Sequence, residues 1–566
     1  MNNISSSSID NKAVIFLQEN NLLQENNTPE QLNKIYESLD EQLENSNLSI
    51  DDVLLLDFLD IEDFYKFVSK EKDIKIYNLA KLDLHLHIDH QIDTHFLESK
   101  LVVPIREDSL SIEIATYNPY DKDIVYELMK RLGKNVILSI IPKEQLQRYI
   151  HEIVINRDLE DIIQNIKIDL NALNKIDFKE ESNTVKMLEL ILEKGLQNRA
   201  SDIHLEYDNE AKKALVRFRI DGILHERFEF EEEIYMALSS TLKLFANIDF
   251  VNNTKAQDGR FSHDLSGVKY DFRISVIPLF NGESISVRIL QTNNILVQLD
   301  ELGLSKKSYE ILDKVSKYPH GLILVTGPTG SGKTTTLYST LSTINDSQKK
   351  IITVEDPVEY QLAKIQQIQV KIRSDINFSS ILKSILRHDP DIIMIGEVRD
   401  KESLKIAVES ALTGHLVFTT LHTNDAISSI IRLKEMGVED YLIANSLLAV
   451  HSQRLVRRLC QKCIVEHEPN KQMINDIKKY LPKDYKFFYS EGCNECSMTG
   501  FVGRSIICET VFINDELSSA LTRSMDYETL KKVAIKNGFV SMIEDGISKA
   551  LSGETSLNEV FKVVYV

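Results

Sequence analysis

The sequence predicts an α/β protein of several domains built around a parallel sheet, and three observations carry that prediction. Gly327 to Leu337 read GPTGSGKTTTL directly after the apolar run Gly321 to Thr326, the strand, loop and helix order of a G-x-x-x-x-G-K-[ST] phosphate loop. Three further apolar strands follow it, each ending in charged or polar residues. Upstream, two stretches alternate strands and helices at the lengths of small α+β modules. A chain of 566 residues holds roughly three or four domains of ordinary size.

Taken in order, residues 1–70 are acidic and rich in Asn, Ser and Leu, and read as short helices on a flexible lead. In LDLHLHIDHQIDTHFL, the alternation of Leu84, Leu86 and Ile88 with His85 and His87, and with His90 and His95 beyond, reads as one solvated face more readily than as a metal site. Residues 71–155 form an α+β docking module, running strand, strand, helix, strand, helix from Lys100, with neither a nucleophile nor a phosphate loop. The Asn/Asp/Lys-rich segment 156–183 reads as a linker, helical in part. Residues 184–296 form a second α+β domain whose strands carry Arg217, Arg219, Arg260, Arg273 and Arg288. Solvated strand arginines contribute little; placed at a shared site, they serve as charge-assisted donors to a neighbouring subunit's nucleotide. Residues 305–566 hold the phosphate loop and, within 455–508, all five cysteines.

Composition sets outer limits. Hydrophobic content of 43% with 27% charged residues excludes a wholly disordered chain. A net charge of −20 speaks against a broad nucleic-acid face, although Arg454, Arg457 and Arg458 make a local basic strip. No apolar run reaches the roughly 18 residues of a membrane span, and the N-terminus lacks the features of a signal peptide, so a cytoplasmic protein is expected. Cys460, Cys463, Cys493 and Cys496 form two C-x-x-C pairs separated by 29 residues, the spacing of a four-thiolate Zn²⁺ knuckle, with disulfides the weaker alternative in a reducing compartment. Cys508, inside RSIICETVFI, reads as a small buried hydrophobe.

The residue types of the loop explain its chemistry. Gly327, Gly330 and Gly332 let the backbone adopt φ > 0 and turn its N–H groups inward as an anion nest, completed by Pro328, Thr329, Ser331 and Thr335. Lys333 places a charge on the β/γ-phosphates, and the Thr334 hydroxyl suits Mg²⁺. The strands that follow end in Glu355, Asp356 and Glu359, in Glu397 with Arg399 beyond it, and, for LTGHLVFTTLHTNDA, carry His415 and His422 near their two ends. Strand C-termini of an open parallel sheet share the edge where a phosphate loop lies, so these groups are expected to converge on the γ-phosphate.

On GPTGSGKTTT, ITVEDPVEY, IMIGEVRD and LTGHLVFTTLHTNDA, extended by ASDIHLEY, RFRIDG, QDGR and RISVIP before them and RLCQKC and GCNECSMTGFVGR after, the chain resembles the secretion ATPase superfamily in its type II secretion and type IV pilus assembly (GspE/PilB) branch. The resemblance covers about Lys100 to the C-terminus. It implies a RecA-like P-loop ATPase domain with a small zinc-knuckle subdomain, preceded by a PAS-like α+β domain and an N-terminal docking domain. It implies ATP, Mg²⁺ and Zn²⁺ as cofactors, and a cytoplasmic homohexamer with no direct nucleic-acid contact. Association with the inner membrane would be peripheral, through a platform protein and the cytoplasmic domain of a membrane-anchored recruiting protein. Carried over by motif, Glu397 is the Walker B carboxylate, as metal-side group or base; Glu359 polarises the attacking water, with Glu355 the second choice. His422, and after it His415, senses the γ-phosphate, and Arg273 and Arg217 are the arginine fingers, ahead of Arg260 and Arg288. The implied function is a motor for pilus or pseudopilus assembly, with a nucleotide-dependent assembly switch and a retraction or DNA-uptake ATPase as alternatives.

Overall fold

The computed structural model describes residues 12–20, 22, 28–56, 59–77, 92–173, 182–208, 210, 212–249, 255–280, 282–290, 297–370, 378–497, 499–523 and 526–564. The chain divides into two compact units, Met1–Leu188 and Glu189–Val566.

In the first unit, helices Lys12–Glu19, Pro29–Glu44, Ile50–Leu54 and Ile61–Lys72 lead, the last three started by side-chain oxygens of Thr28, Ser49 and Asp60 that accept otherwise unpaired helical N–H groups. Leu17, Ile35, Leu39 and Phe64 are completely buried among them, and Ile140 from a mixed four-stranded sheet joins the same core, with Tyr117 and Tyr120 from the turn after its strand Ser111–Thr116. That sheet runs in the order Lys75–Ile76, Asn135–Ile140, Ser111–Thr116, Val102–Glu107. The Tyr65 hydroxyl reaches across to donate to Tyr117 O at 3.1 Å. The short helices expected within 1–70 are present, and among the described residues they pack as a layer because their apolar stripes find a sheet to cover. Helix Lys143–Leu173 runs through much of the expected linker at 156–183. His85, His87 and His90 lie outside the described residues, and His95 sits on helix Thr94–Lys100.

The second unit begins with a six-stranded antiparallel sheet in the order Ile223–Glu231, Lys213–Ile220, Ala200–Asp208, Gly282–Leu290, Val268–Leu279, Gln257–Leu265. Period-2 alternation gives it one apolar face, with Phe218, Phe272, Ile274 and Ile285 fully buried, and one arginine-bearing face. Helices Asn183–Gln197 and Glu232–Phe245 cover the apolar face so closely that a Cβ added at Gly195 would stand 2.7 Å from Ile203 Cδ1.

A seven-stranded sheet follows, ordered Gln366–Gln369, Ile351–Glu355, Ile392–Ile395, Leu416–Leu421, Gly321–Thr326, Leu447–Leu459, Phe501–Phe512, with all pairs parallel except the last. Its central strands are apolar on both sides because helices pack on both faces. Leu322 and Leu324 enter one core with Ile430, while Ile323 and Val325 enter the other with Leu337 and Leu341. The paired cysteines fall in an excursion between the last two strands. Among the described residues no helix is long and apolar enough to cross a membrane.

Candidate functional site

Strand Gly321–Thr326 carries the phosphate loop to the C-terminal edge of this sheet, and helix Lys333–Ile344 begins where the loop ends. Gly327, Gly330 and Gly332 have φ of +145°, +77° and +85°, and a Cβ at Gly327 would stand 2.5 Å from Gln453 O. Pro328 and Thr329 are exposed; Thr334 and Thr335 are half-buried in the helix's first turn. The Lys333 ammonium donates to Gly327 O at 2.9 Å and Pro328 O at 3.0 Å. Burial lowers its pKa, with the Glu397 charge opposing. Ser331 is buried and its hydroxyl has no hydrogen-bond partner among the described residues, an orphaned donor that suits a phosphate oxygen.

Glu397 and His422 meet beside this loop. Glu397 follows strand Ile392–Ile395, His422 follows its neighbour Leu416–Leu421, and His422 Nε2 lies 3.2 Å from Glu397 Oε1. Arg399 Nη2 is 2.8 Å from the other carboxylate oxygen. Burial works to raise the Glu397 pKa, but the Arg399 hydrogen bond and charge, with His422 and Lys333, outweigh it and hold the carboxyl below its ordinary value. Gly396 precedes Glu397 where space is short: a Cβ there would stand 3.2 Å from Val354 O on the adjoining strand. The Thr420 hydroxyl donates to Gly396 O at 2.6 Å and steadies the turn.

The two candidate bases differ sharply. Glu355 is 3% exposed and accepts from the Tyr338 and Thr353 hydroxyls and, at 3.2 Å, from Gln367 Nε2. Its lone pairs are spent within the fold. Glu359 is exposed, and among the described residues its carboxylate has no hydrogen bond or ion pair. His415 is not brought to this edge. The register pairs Gly321 with Leu416, and the Gly321 N–H donates to His415 O at 3.1 Å, so His415 stands at the opposite end of the strand, roughly 20 Å from the loop. Its ring Nδ1 lies 3.0 Å from Ser410 O.

On the antiparallel sheet, register aligns Arg260 with Arg273, Arg273 with Arg288, Arg288 with Asp202, and Asp202 with Arg219, in one row on the polar face. Like charges placed opposite one another repel unless an anion intervenes. Asp202 serves one end, at 2.9 Å from Arg288 Nε and 4.0 Å from Arg219 Nε. Arg217 pairs with Glu206 in its own sheet through Nη2, while its buried Nε has no hydrogen-bond partner among the described residues. Arg260 and Arg273 are exposed and have no ion pair among the described residues.

The four thiols gather into one cluster, with Sγ atoms of Cys460 and Cys493 3.7 Å apart, Cys463 and Cys496 4.0 Å, and Cys493 and Cys496 3.8 Å. Metal–sulfur bonds of about 2.3 Å in a tetrahedron give edges of about 3.8 Å, whereas a disulfide needs about 2.05 Å, so the set fits a metal and not a pair of disulfides. N–H groups of Cys493 and Gly500 point at Cys496 Sγ at 3.0 and 3.2 Å, as thiolate ligands require. Cys508 is buried away from the cluster.

Sequence reading missed the floor of the loop. His451, Ser452 and Gln453 are all 0% exposed on strand Leu447–Leu459, and Gln453 contacts the loop directly. The one available signal was three consecutive polar residues inside an apolar strand. Arg454, next along, donates to Asn424 O at 3.1 Å and holds the turn after His422.

Residues 177–562 match the family model described as Type II/IV secretion system protein, and residues 73–158 match the MshEN domain. Type II secretion system protein E of Xanthomonas campestris is 36% identical over 481 residues, covering 83% of this chain and 84% of that one. Its counterpart in Pseudomonas aeruginosa is 40% identical over 457 residues, covering 81% and 86%. The type IV pilus assembly ATPase PilB of Myxococcus xanthus is 36% identical over 513 residues, covering 87% and 89%. Among solved structures, the Legionella pneumophila ATPase DotB shares the fold, with a TM-score of 0.51 at 21% identity over 67% of this chain and 95% of that one.

Proposed function

The chain belongs to the type II/IV secretion system protein family, and from that premise we propose that this ATPase is a hexameric motor driving assembly of a type IV pilus or secretion pseudopilus. The observation that carries the reading is the Glu397–His422 contact beside Lys333, since a protein that only binds nucleotide needs the loop but no carboxylate and imidazole at its mouth. Lys333 and the inward N–H groups hold the β/γ-phosphates. Thr334 and Glu397 are the residues that would hold Mg²⁺, whose chemistry when bound is to neutralise phosphate charge. Glu359 orients the attacking water, Glu355 being engaged elsewhere, and His422 senses the γ-phosphate from its place against Glu397. Arg260 and Arg273 reach a neighbouring subunit's nucleotide and neutralise the charge that develops on its equatorial oxygens. The four cysteines hold Zn²⁺ in a closed, structural site. The first unit docks the motor, from the cytoplasm, on a membrane-anchored recruiting protein, and the work is delivered to an inner-membrane platform protein. The names of the secretion and pilus-assembly relatives support that placement.

Phosphate release measured against protein concentration, with Mg²⁺, tests the shared site. Specific activity rises with assembly and falls by about a thousandfold in Arg273→Ala while ADP still binds. Activity independent of concentration and indifferent to both Arg260→Ala and Arg273→Ala would overturn the ring mechanism.

A further inference from the structure

A buried polar chain runs from the back of the phosphate loop. Gln453 donates from Nε2 to Ser331 O at 2.6 Å and accepts at Oε1 from the Thr336 hydroxyl at 2.7 Å and from His451 Nε2 at 3.0 Å. His451 Nδ1 meets the Thr510 hydroxyl at 2.8 Å, and Thr510 meets the Ser308 hydroxyl at 2.8 Å. All five side chains beyond the loop are buried, and the reaction described above uses none of them. An unpaired amide in such a place bears the full penalty of its desolvation, so the chain is maintained only if it is complete.

One arrangement of hydrogens satisfies the Gln453 amide. A carbonyl only accepts, so Gln453 Nε2 must donate to Ser331 O. Oε1 then takes hydrogens from both Thr336 and His451. That places the imidazole proton on Nε2 and leaves Nδ1 as an acceptor facing the Thr510 hydroxyl. Turning the Gln453 amide over would set two oxygens 2.6 Å apart. Burial pushes the His451 pKa down to about 4, which keeps the ring neutral and this donor pattern intact.

The consequence lies in the peptide unit that Gln453 grips. The Ser331 C=O and the Gly332 N–H belong to one planar trans unit and point in opposite directions. Drawing the carbonyl back toward Gln453 therefore aims the Gly332 N–H forward into the anion nest. The fit is tight, since a Cβ at Gly332 would stand 3.2 Å from Gln453 Nε2. We propose that Gln453 is a positioning residue that presets the phosphate loop for nucleotide, and that His451 fixes the orientation of its amide. The proposal rests on nucleotide phosphates binding in this loop, which Lys333→Ala tests separately.

A preset loop lowers the cost of binding without touching the chemical step, so its loss appears in KM and in ADP affinity while kcat at saturating ATP persists. The full chain is titrated with a fluorescent ADP analogue and Mg²⁺, and steady-state phosphate release is measured in parallel. Gln453→Glu, which keeps the shape but places an oxygen against Ser331 O, raises KM for ATP and Kd for the analogue about tenfold or more, with kcat within about threefold. His451→Leu gives the same pattern. His451→Gln, which retains an N–H where Nε2 stood, restores KM to within about threefold of wild type. Should Gln453→Glu fail to fold, Thr336→Val and the two His451 variants decide the matter. KM unchanged in Gln453→Glu, or in both His451→Leu and Thr336→Val, overturns the proposal, and so does a loss confined to kcat. If wild type binds the analogue no better than Lys333→Ala, the nucleotide reading itself fails.

Discussion

Glu397 stands between Arg399 and His422, and its role depends on staying ionised there. Glu397→Gln is expected to lower kcat by about 10²–10³ with ADP affinity little changed, as read by phosphate release and by titration with a fluorescent ADP. His415→Ala should leave kcat within about twofold, since its ring faces Ser410 at the far end of the strand. A kcat loss as large as that of Glu397→Gln would contradict the register argument. His451 makes the protein acid-sensitive in a definite direction. With a native pKa of about 4 against an unfolded value near 6.5, the unfolded chain takes up the proton first, so stability falls as pH drops from about 6.5 toward 4. By pH 5 this one group accounts for about 2 kcal/mol, which His451→Gln should remove from the difference between unfolding midpoints at pH 7.5 and pH 5. The loop glycines, Lys333, Thr334, Glu397 and His422 were legible because each occupies a motif position whose chemistry demands that residue type. Choosing between Glu355 and Glu359 was not, because both follow the same apolar strand and only the donors around Glu355 separate them.

Elements are tied to one another by single buried groups. Glu509 is 6% exposed, and its carboxylate accepts from Ala426 N at 2.7 Å and Met542 N at 2.9 Å. One anion thus serves the N-termini of helices Ala426–Glu435 and Met542–Leu551, where the helix dipoles favour negative charge. Glu509→Ala is expected to cost about 2–4 kcal/mol, measured as a shift in denaturation midpoint with nucleotide absent. The cysteine excursion hangs from the ends of strands Leu447–Leu459 and Phe501–Phe512, the first of which also carries Gln453. Chelation or Cys460→Ser should therefore lower the melting temperature while ADP affinity stays within about twofold. A loss of affinity as large as that of Lys333→Ala would contradict a structural role.

At the scale of the whole chain, the first unit shows how context overrules composition. Residues 1–70 read as short helices on a flexible lead, yet Tyr65, Phe64 and Leu39 are buried because the sheet carrying Ile140 completes the cover. Each such side chain contributes roughly 2 kcal/mol of burial, so a fragment starting at residue 73 should aggregate or melt early, whereas one spanning 1–173 should unfold cooperatively. Circular dichroism melts of the two fragments would decide this. The arginine row likewise belongs to a whole sheet. Arg260, Arg273 and Arg288 come from three strands, and no stretch of sequence announces that they stand side by side.

By itself, the sequence determined the phosphate loop, the apolar strands of the parallel sheet, the paired cysteines and the arginine-bearing strands. Each is a local pattern in which residue type sets the backbone conformation, the buried face or the ligand chemistry. Tertiary structure alone decided that His415 lies away from the loop, that Arg217 pairs with Glu206, and that Gln453 holds Ser331 from 122 positions away. The reason is physical. Periodicity specifies which face a side chain takes, whereas strand order and register, set by the packing of both faces at once, specify which distant side chains share that face.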